Sequence, residues 1–173
     1  MKLILLICTI FLSSGSLFAQ DEEALFNSRQ LGLSYSTLGG IGIHYIHPYD
    51  EWNNLKTTGI IIYRKDLENK ESYFSLGLDY QRDMFEDETM RAYLSAGMQL
   101  DNRFSDIIFF KESYVNELNV FFSTGVGMGI DYGTDISSLV LNGHITYQYT
   151  TGIIKTGHKR IGLGAGLGIG FNF

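Results

Sequence analysis

From Ile161 to Phe173 every second residue is apolar: Ile161, Leu163, Ala165, Leu167, Ile169, Phe171 and Phe173 share one face. Gly162, Gly164, Gly166, Gly168 and Gly170 share the other. A period of two is the mark of a β-strand. The same rhythm recurs upstream. It predicts strands over 31–47, Thr57–Lys65, Ser72–Arg82, Met90–Asp101, Leu118–Tyr132, Ser137–Thr150 and Lys159–Phe173. The stretches between them, 48–56, 66–71, 83–89, 102–117, 133–136 and 151–158, are polar or contain glycine and predict turns. Several of these strands run to twelve residues or more, well beyond the usual ~5–6. A long strand with one greasy face suits a bilayer, where apolar side chains face lipid and small or polar ones face the inside of a closed barrel.

The N-terminus predicts export. Lys2 supplies a short positive region, Leu3–Leu12 an apolar run, and Leu17-Phe18-Ala19 a cleavage site before Gln20. The expected organisation is a signal peptide over 1–19 and one barrel domain over 20–173. Cys8, the single cysteine, lies in the leader, so the mature chain is expected to carry no disulfide, thiol nucleophile or cysteine metal site. Losing Lys2 takes the formal net charge from −6 to −7. That acidic balance, with no Lys/Arg cluster, argues against nucleic acid. Twenty glycines, a single proline and 14% aromatic residues suit strands closing around a narrow lumen. The mature sequence holds no apolar run near the ~18 residues of a membrane helix.

Together the leader, the alternation and the terminal aromatic resemble the small bacterial outer-membrane β-barrels of the eight-stranded OmpA/OmpX-like group. The resemblance is closest over residues 159–173. It implies an all-β, closed antiparallel eight-stranded transmembrane barrel in the bacterial outer membrane. It also implies that Phe173, Phe171, Ile169 and Leu167 form the signal read by the barrel-assembly machinery. The chain departs from the larger members of that group in showing neither an appended peptidoglycan-binding domain nor long adhesion-type loops. A soluble lipocalin-like barrel fits the alternation equally well by itself; strand length, the tyrosines near strand ends and the terminal phenylalanine favour the membrane form. Such barrels use an even number of strands, so an eighth is needed. It comes either from splitting 31–47 at Leu38-Gly39-Gly40 or from 105–111, with its Ile-Ile-Phe-Phe core. A two-residue hairpin reverses parity, and parity does not reverse between Leu31 and Tyr45. The expectation is therefore one long first strand, with 105–111 as the eighth.

The inward face is expected to carry a polar network that includes Asp79, Arg91, Gln99, Asn119, Asp131, Asn142 and His144. Arg91 is expected to pair with Asp79 or Asp131, because an unpaired charge inside is costly. An eight-stranded barrel is only wide enough for its own side chains. Lys155, His158, Lys159 and Arg160 are the expected contact with anionic lipopolysaccharide. No catalytic motif stands out: His44 and His47 fall on opposite faces, and His144 is followed two residues on by Thr146, not serine. Neither a cofactor nor a metal is expected. The expected role is structural or surface-interactive, with outer-membrane lipid, lipopolysaccharide, the assembly machinery and an envelope protein as partners. A narrow solute channel is the alternative, and a lipid A-modifying enzyme a third.

Overall fold

The computed structural model describes residue 26, residues 28–65, 70–102, 120–134, 136, 138–153 and 159–173, with the side chains of 63–65 and 70–72 excepted. Eight strands follow in order: β1 (Gln30–Ser36), β2 (Gly40–Asp50), β3 (Asn53–Lys65), β4 (Lys70–Glu86), β5 (Met90–Asp101), β6 (Phe121–Gly133), β7 (Leu139–Gly152) and β8 (Lys159–Asn172). Each pairs antiparallel with its neighbours in sequence, and β1 returns to β8 to close a barrel. Closure leaves no sheet edge in the fully paired part of the wall, the condition for strands in a medium that cannot hydrogen-bond.

The barrel is inside-out relative to a soluble protein. Leu33, Ile43, Ile61, Val126, Met128, Ile145, Leu163 and Leu167 are exposed on its outer face. Lys56, Asp79, Asp83, Arg91 and Asp131 are buried within. That partition supplies the argument against a lipocalin-like reading. In water, exposing so much apolar surface around the whole wall is unfavourable, whereas in lipid the same side chains are at home. Aromatic residues mark the terminal end of the barrel, where β1 begins and β8 ends: Tyr49 and Trp52 at the β2–β3 turn, Phe85 on β4, Tyr132 on β6, Phe171 on β8.

The eighth strand comes from splitting 31–47, which corrects the expectation of one long first strand; residues 105–111 lie outside those described. The turn between β1 and β2 contains three residues, Thr37, Leu38 and Gly39, with Ser36 opposite Gly40. Partners four apart keep their parity. The alternation therefore runs unbroken through a reversal of direction, and the two-residue rule did not apply. Several strand ends shift as well, two of them with consequences for the interior. The 48–56 segment was expected to be a turn, but β2 reaches Asp50 and β3 starts at Asn53. Its polar Asn54 and Lys56 are inward-facing strand residues, not loop residues. Likewise β4 continues to Glu86, past the expected stop at Arg82, so Asp83 belongs to the interior. The turn after it is held by Asp87, whose Oδ1 accepts from the N–H of Thr89 and of Met90, both at 2.8 Å. These bonds hold its carboxyl below the ordinary carboxylate range.

Candidate functional site: the filled lumen

Interior side chains from all eight strands join one hydrogen-bonded network at the terminal end of the barrel. Gln30 on β1 donates to Asn172 Oδ1 on β8 at 2.9 Å, and its Oε1 lies 3.0 Å from His44 Nε2 on β2. Asn142 on β7 donates to the same Gln30 oxygen at 3.4 Å and to Asp131 Oδ1 on β6 at 2.9 Å. Asp131 pairs with Arg91 on β5. Arg91 Nη2 also donates to Gln81 Oε1 on β4 at 2.8 Å, and Nη1 lies 3.6 Å from Asp83 Oδ1. Asn54 on β3 brings in the last strand, donating to Asp83 Oδ2 at 3.0 Å. The guanidinium carbon of Arg91 sits 4.8 Å from the centroid of the Tyr93 ring, a cation–π contact that matters more without water. Tyr93 in turn occupies the space a side chain at Gly129 would need. Glycine on the inner face thus makes room for a large neighbour.

Above this network the β1–β2 turn projects into the lumen instead of continuing the wall. Leu38 is 1% exposed. Thr37 donates its backbone N–H to Ala165 O on β8 at 3.2 Å, and its Oγ1 fills the place of a side chain at Gly164. On the opposite side, Ile41 N donates to Ser75 Oγ on β4 at 3.0 Å, and the Gly39 carbonyl packs where Gly77 has no side chain. The turn therefore spans the interior from β8 to β4. Two glycines allow the path: Gly40 has φ +90° and Gly42 φ +136°, a region that favours glycine. Ser36 fixes the reversal, its Oγ accepting from Leu38 N at 3.2 Å and Gly39 N at 2.8 Å. Its hydroxyl also meets His144 Nε2 at 2.7 Å. That is the separation of a nucleophile and its base, but Ser36 is buried and its oxygen already serves two turn amides. The pair organises the turn.

The residues singled out from the sequence separate into distinct groups. Asp79, Arg91, Asp131 and Asn142 are in the lower network; Asp79 joins through Gln81, which donates to its Oδ2 at 3.4 Å. Arg91 takes Asp131 and Asp83 as its ion-pair partners, not Asp79. Gln99 belongs to an upper cluster, donating to Ser75 Oγ at 3.2 Å and Asp101 Oδ2 at 3.0 Å. His144 binds the turn, and Asn119 lies outside the described residues. Leu167, Ile169, Phe171 and Phe173 all point outward, and Phe173 N donates to Arg29 O at 2.8 Å. Lys159 and Arg160 open β8 at the far end of the barrel; Lys155, His158 and residues 1–19, the expected signal peptide, are outside the described residues. Sequence reasoning missed Gln30, Asn54, Lys56 and Asp83. Continuing the parity of Asp79 and Gln81 by one step would have found Asp83.

The closed barrel, its apolar outer face and its polar interior define the fold of a small eight-stranded membrane β-barrel. Among solved structures it matches the N-terminal β-barrel domain of Pseudomonas aeruginosa OprF, with a TM-score of 0.52 and 18% sequence identity over 85% of this chain and 98% of that one. That likeness is one of fold. No protein-family model matches the chain, and no curated protein does.

Proposed function

We propose that this protein resides in the bacterial outer membrane as a plugged barrel, with a structural or surface-interaction role in the cell envelope. The observation that carries the reading is the filled lumen: a network touching every strand, then a turn laid across it. A pore for solutes needs a continuous wet path, and here the central side chains Arg91, Asp131 and Leu38 are each 1% exposed. The two longest connections, β5–β6 and β7–β8, both lie at the end where β8 begins, which supports reading that end as the extracellular side. In that orientation the Lys155, His158, Lys159 and Arg160 cluster meets the lipopolysaccharide leaflet, and Leu167, Ile169, Phe171 and Phe173 form the strand offered to the assembly machinery. Single-channel recording of refolded protein in a planar bilayer, with heat-modifiable gel mobility as the folding control, tests the plugged state. A folded, silent barrel is expected; steady discrete openings would establish the channel reading in its place.

A further inference from the structure

On the outer wall, opposite in character to the lumen, one row sets shorter side chains between two tyrosines. Ala96 on β5 and Val126 on β6 pair directly, flanked by Tyr80 on β4 and Tyr147 on β7. Two small residues between two tyrosines leave a trough of about 570 Å³. It shares Tyr80, Ala96 and Val126 with a second hollow of about 410 Å³ that runs on past Met98 and Thr124. Its lining is almost wholly apolar, with one charge: Arg82, also outward-facing, at the rim nearer the termini. Arg82 pairs across the sheet with Asn53, beside the β2–β3 turn, which places it at the end of the barrel marked by Trp52. The nearby Asp50 carboxylate is taken up by its own turn, accepting from Trp52 N at 2.9 Å and Asn53 Nδ2 at 2.7 Å. Arg82 makes no close ion pair among the described residues, although its charge is felt at the Asp50 carboxylate.

We propose that this trough is a specific site for an anionic phospholipid of the periplasmic leaflet, a reading that rests on the outer-membrane orientation above. One acyl chain lies over Ala96 and Val126 between the tyrosines, and the phosphate meets the Arg82 guanidinium. Charge complementarity decides the occupant. An apolar channel ending in one cation at the interface fits an amphiphile with one anionic head, since arginine near a membrane surface is stabilised by anionic lipid. A second copy of the barrel presents a convex wall of large side chains, which would leave the trough unfilled and bury the guanidinium.

Native mass spectrometry of the refolded protein, released from detergent micelles containing phosphatidylglycerol or diacylglycerol, tests the site. The wild type is expected to retain one phosphatidylglycerol and little diacylglycerol. Ala96→Trp, which fills the floor from the lipid side, is expected to abolish retention; Val126→Trp is the substitute if that variant fails to fold. Arg82→Gln is expected to lower retention about fivefold, the ratio that ~1 kcal/mol gives. Undiminished lipid on a folded Ala96→Trp or Val126→Trp barrel would overturn the site. Equal retention of both lipids, unchanged in Arg82→Gln, would overturn the head-group contact, and a lipid-free dimer would assign the trough to a second copy. A failure of the outer-membrane reading is seen separately, as protein that does not fold into membranes at all.

Discussion

The two ends of the wall are built on different terms. Toward the termini all eight strands pair, and the interior is a crowd of charges and amides linked to one another by hydrogen bonds and ion pairs. Toward the far end, β8 above Gly166 pairs only with β7, because β1 stops at Ser36, and β3 above Gly59 pairs only with β4, because the first three residues of β2, Gly40–Gly42, leave β3 and pair only with β1. With seven residues, β1 is shorter than the ~9–11 of a spanning strand. The three turn residues that follow dive inward instead of rising. One end is thus sealed by chemistry among side chains, and the middle by a piece of backbone. The first depends on charge pairing, the second on empty space at glycine, and they should fail differently.

The largest effect is expected at the charged end. Arg91→Leu leaves Asp83 and Asp131 buried without their ion-pair partner, with only Lys56 near Asp131, and removing one partner of a buried pair costs about 3–5 kcal/mol. Urea unfolding followed by heat-modifiable mobility is the measurement; a loss under 1 kcal/mol would mean that water, not Arg91, solvates these carboxylates. Next comes the lipid face. Leu167→Arg and Ile169→Arg place a charge in hydrocarbon at a cost of about 2–4 kcal/mol at mid-depth, read as reduced folding into vesicles. Normal assembly of both would reverse the face assignment.

At the plug the effects should be smaller and local. Gly164→Val drives a side chain into Thr37, and Gly77→Val does the same to the Gly39 carbonyl. Overpacking of this kind costs roughly 1–3 kcal/mol, and the barrel is expected to fold with the turn displaced and conductance gained. Silent bilayers from both folded variants would show that the lower network alone closes the lumen. Ser36→Ala acts on the same turn without adding bulk, at a cost comparable to the overpacking variants. It removes the acceptor for Leu38 N and Gly39 N, worth about 0.5–1.5 kcal/mol per bond, and it should loosen the turn without altering the fold.

The same contrast explains what the sequence made legible. Alternation assigns every residue of a strand to a face, so the outward row from Ile161 to Phe173 and the inward Asp79, Arg91, Asp131 and Asn142 could be read directly. What alternation cannot report is where a chain reverses without changing parity. The three-residue turn at 37–39 did this, and β1 and β2 looked like one strand. Nor does it mark strand ends when the inward residues are polar, as at Asn54, Lys56 and Asp83, because a polar lumen residue and a polar loop residue look alike. The descent of the turn into the barrel depends on Gly77 and Gly164 lying opposite it, a coincidence of three dimensions.

The most direct test of the filled lumen is the accessibility of the turn itself. Leu38→Cys, in protein produced from Gln20 onward so that Cys8 is absent, can be offered a membrane-impermeant maleimide after folding into vesicles. Ile153→Cys, exposed beyond β7, serves as the reactive control. Protection of the Leu38→Cys thiol, while the control labels and heat-unfolded protein labels fully, is the result expected of a turn inside the barrel. Labelling as fast as the control would place the turn in solvent and contradict the plug.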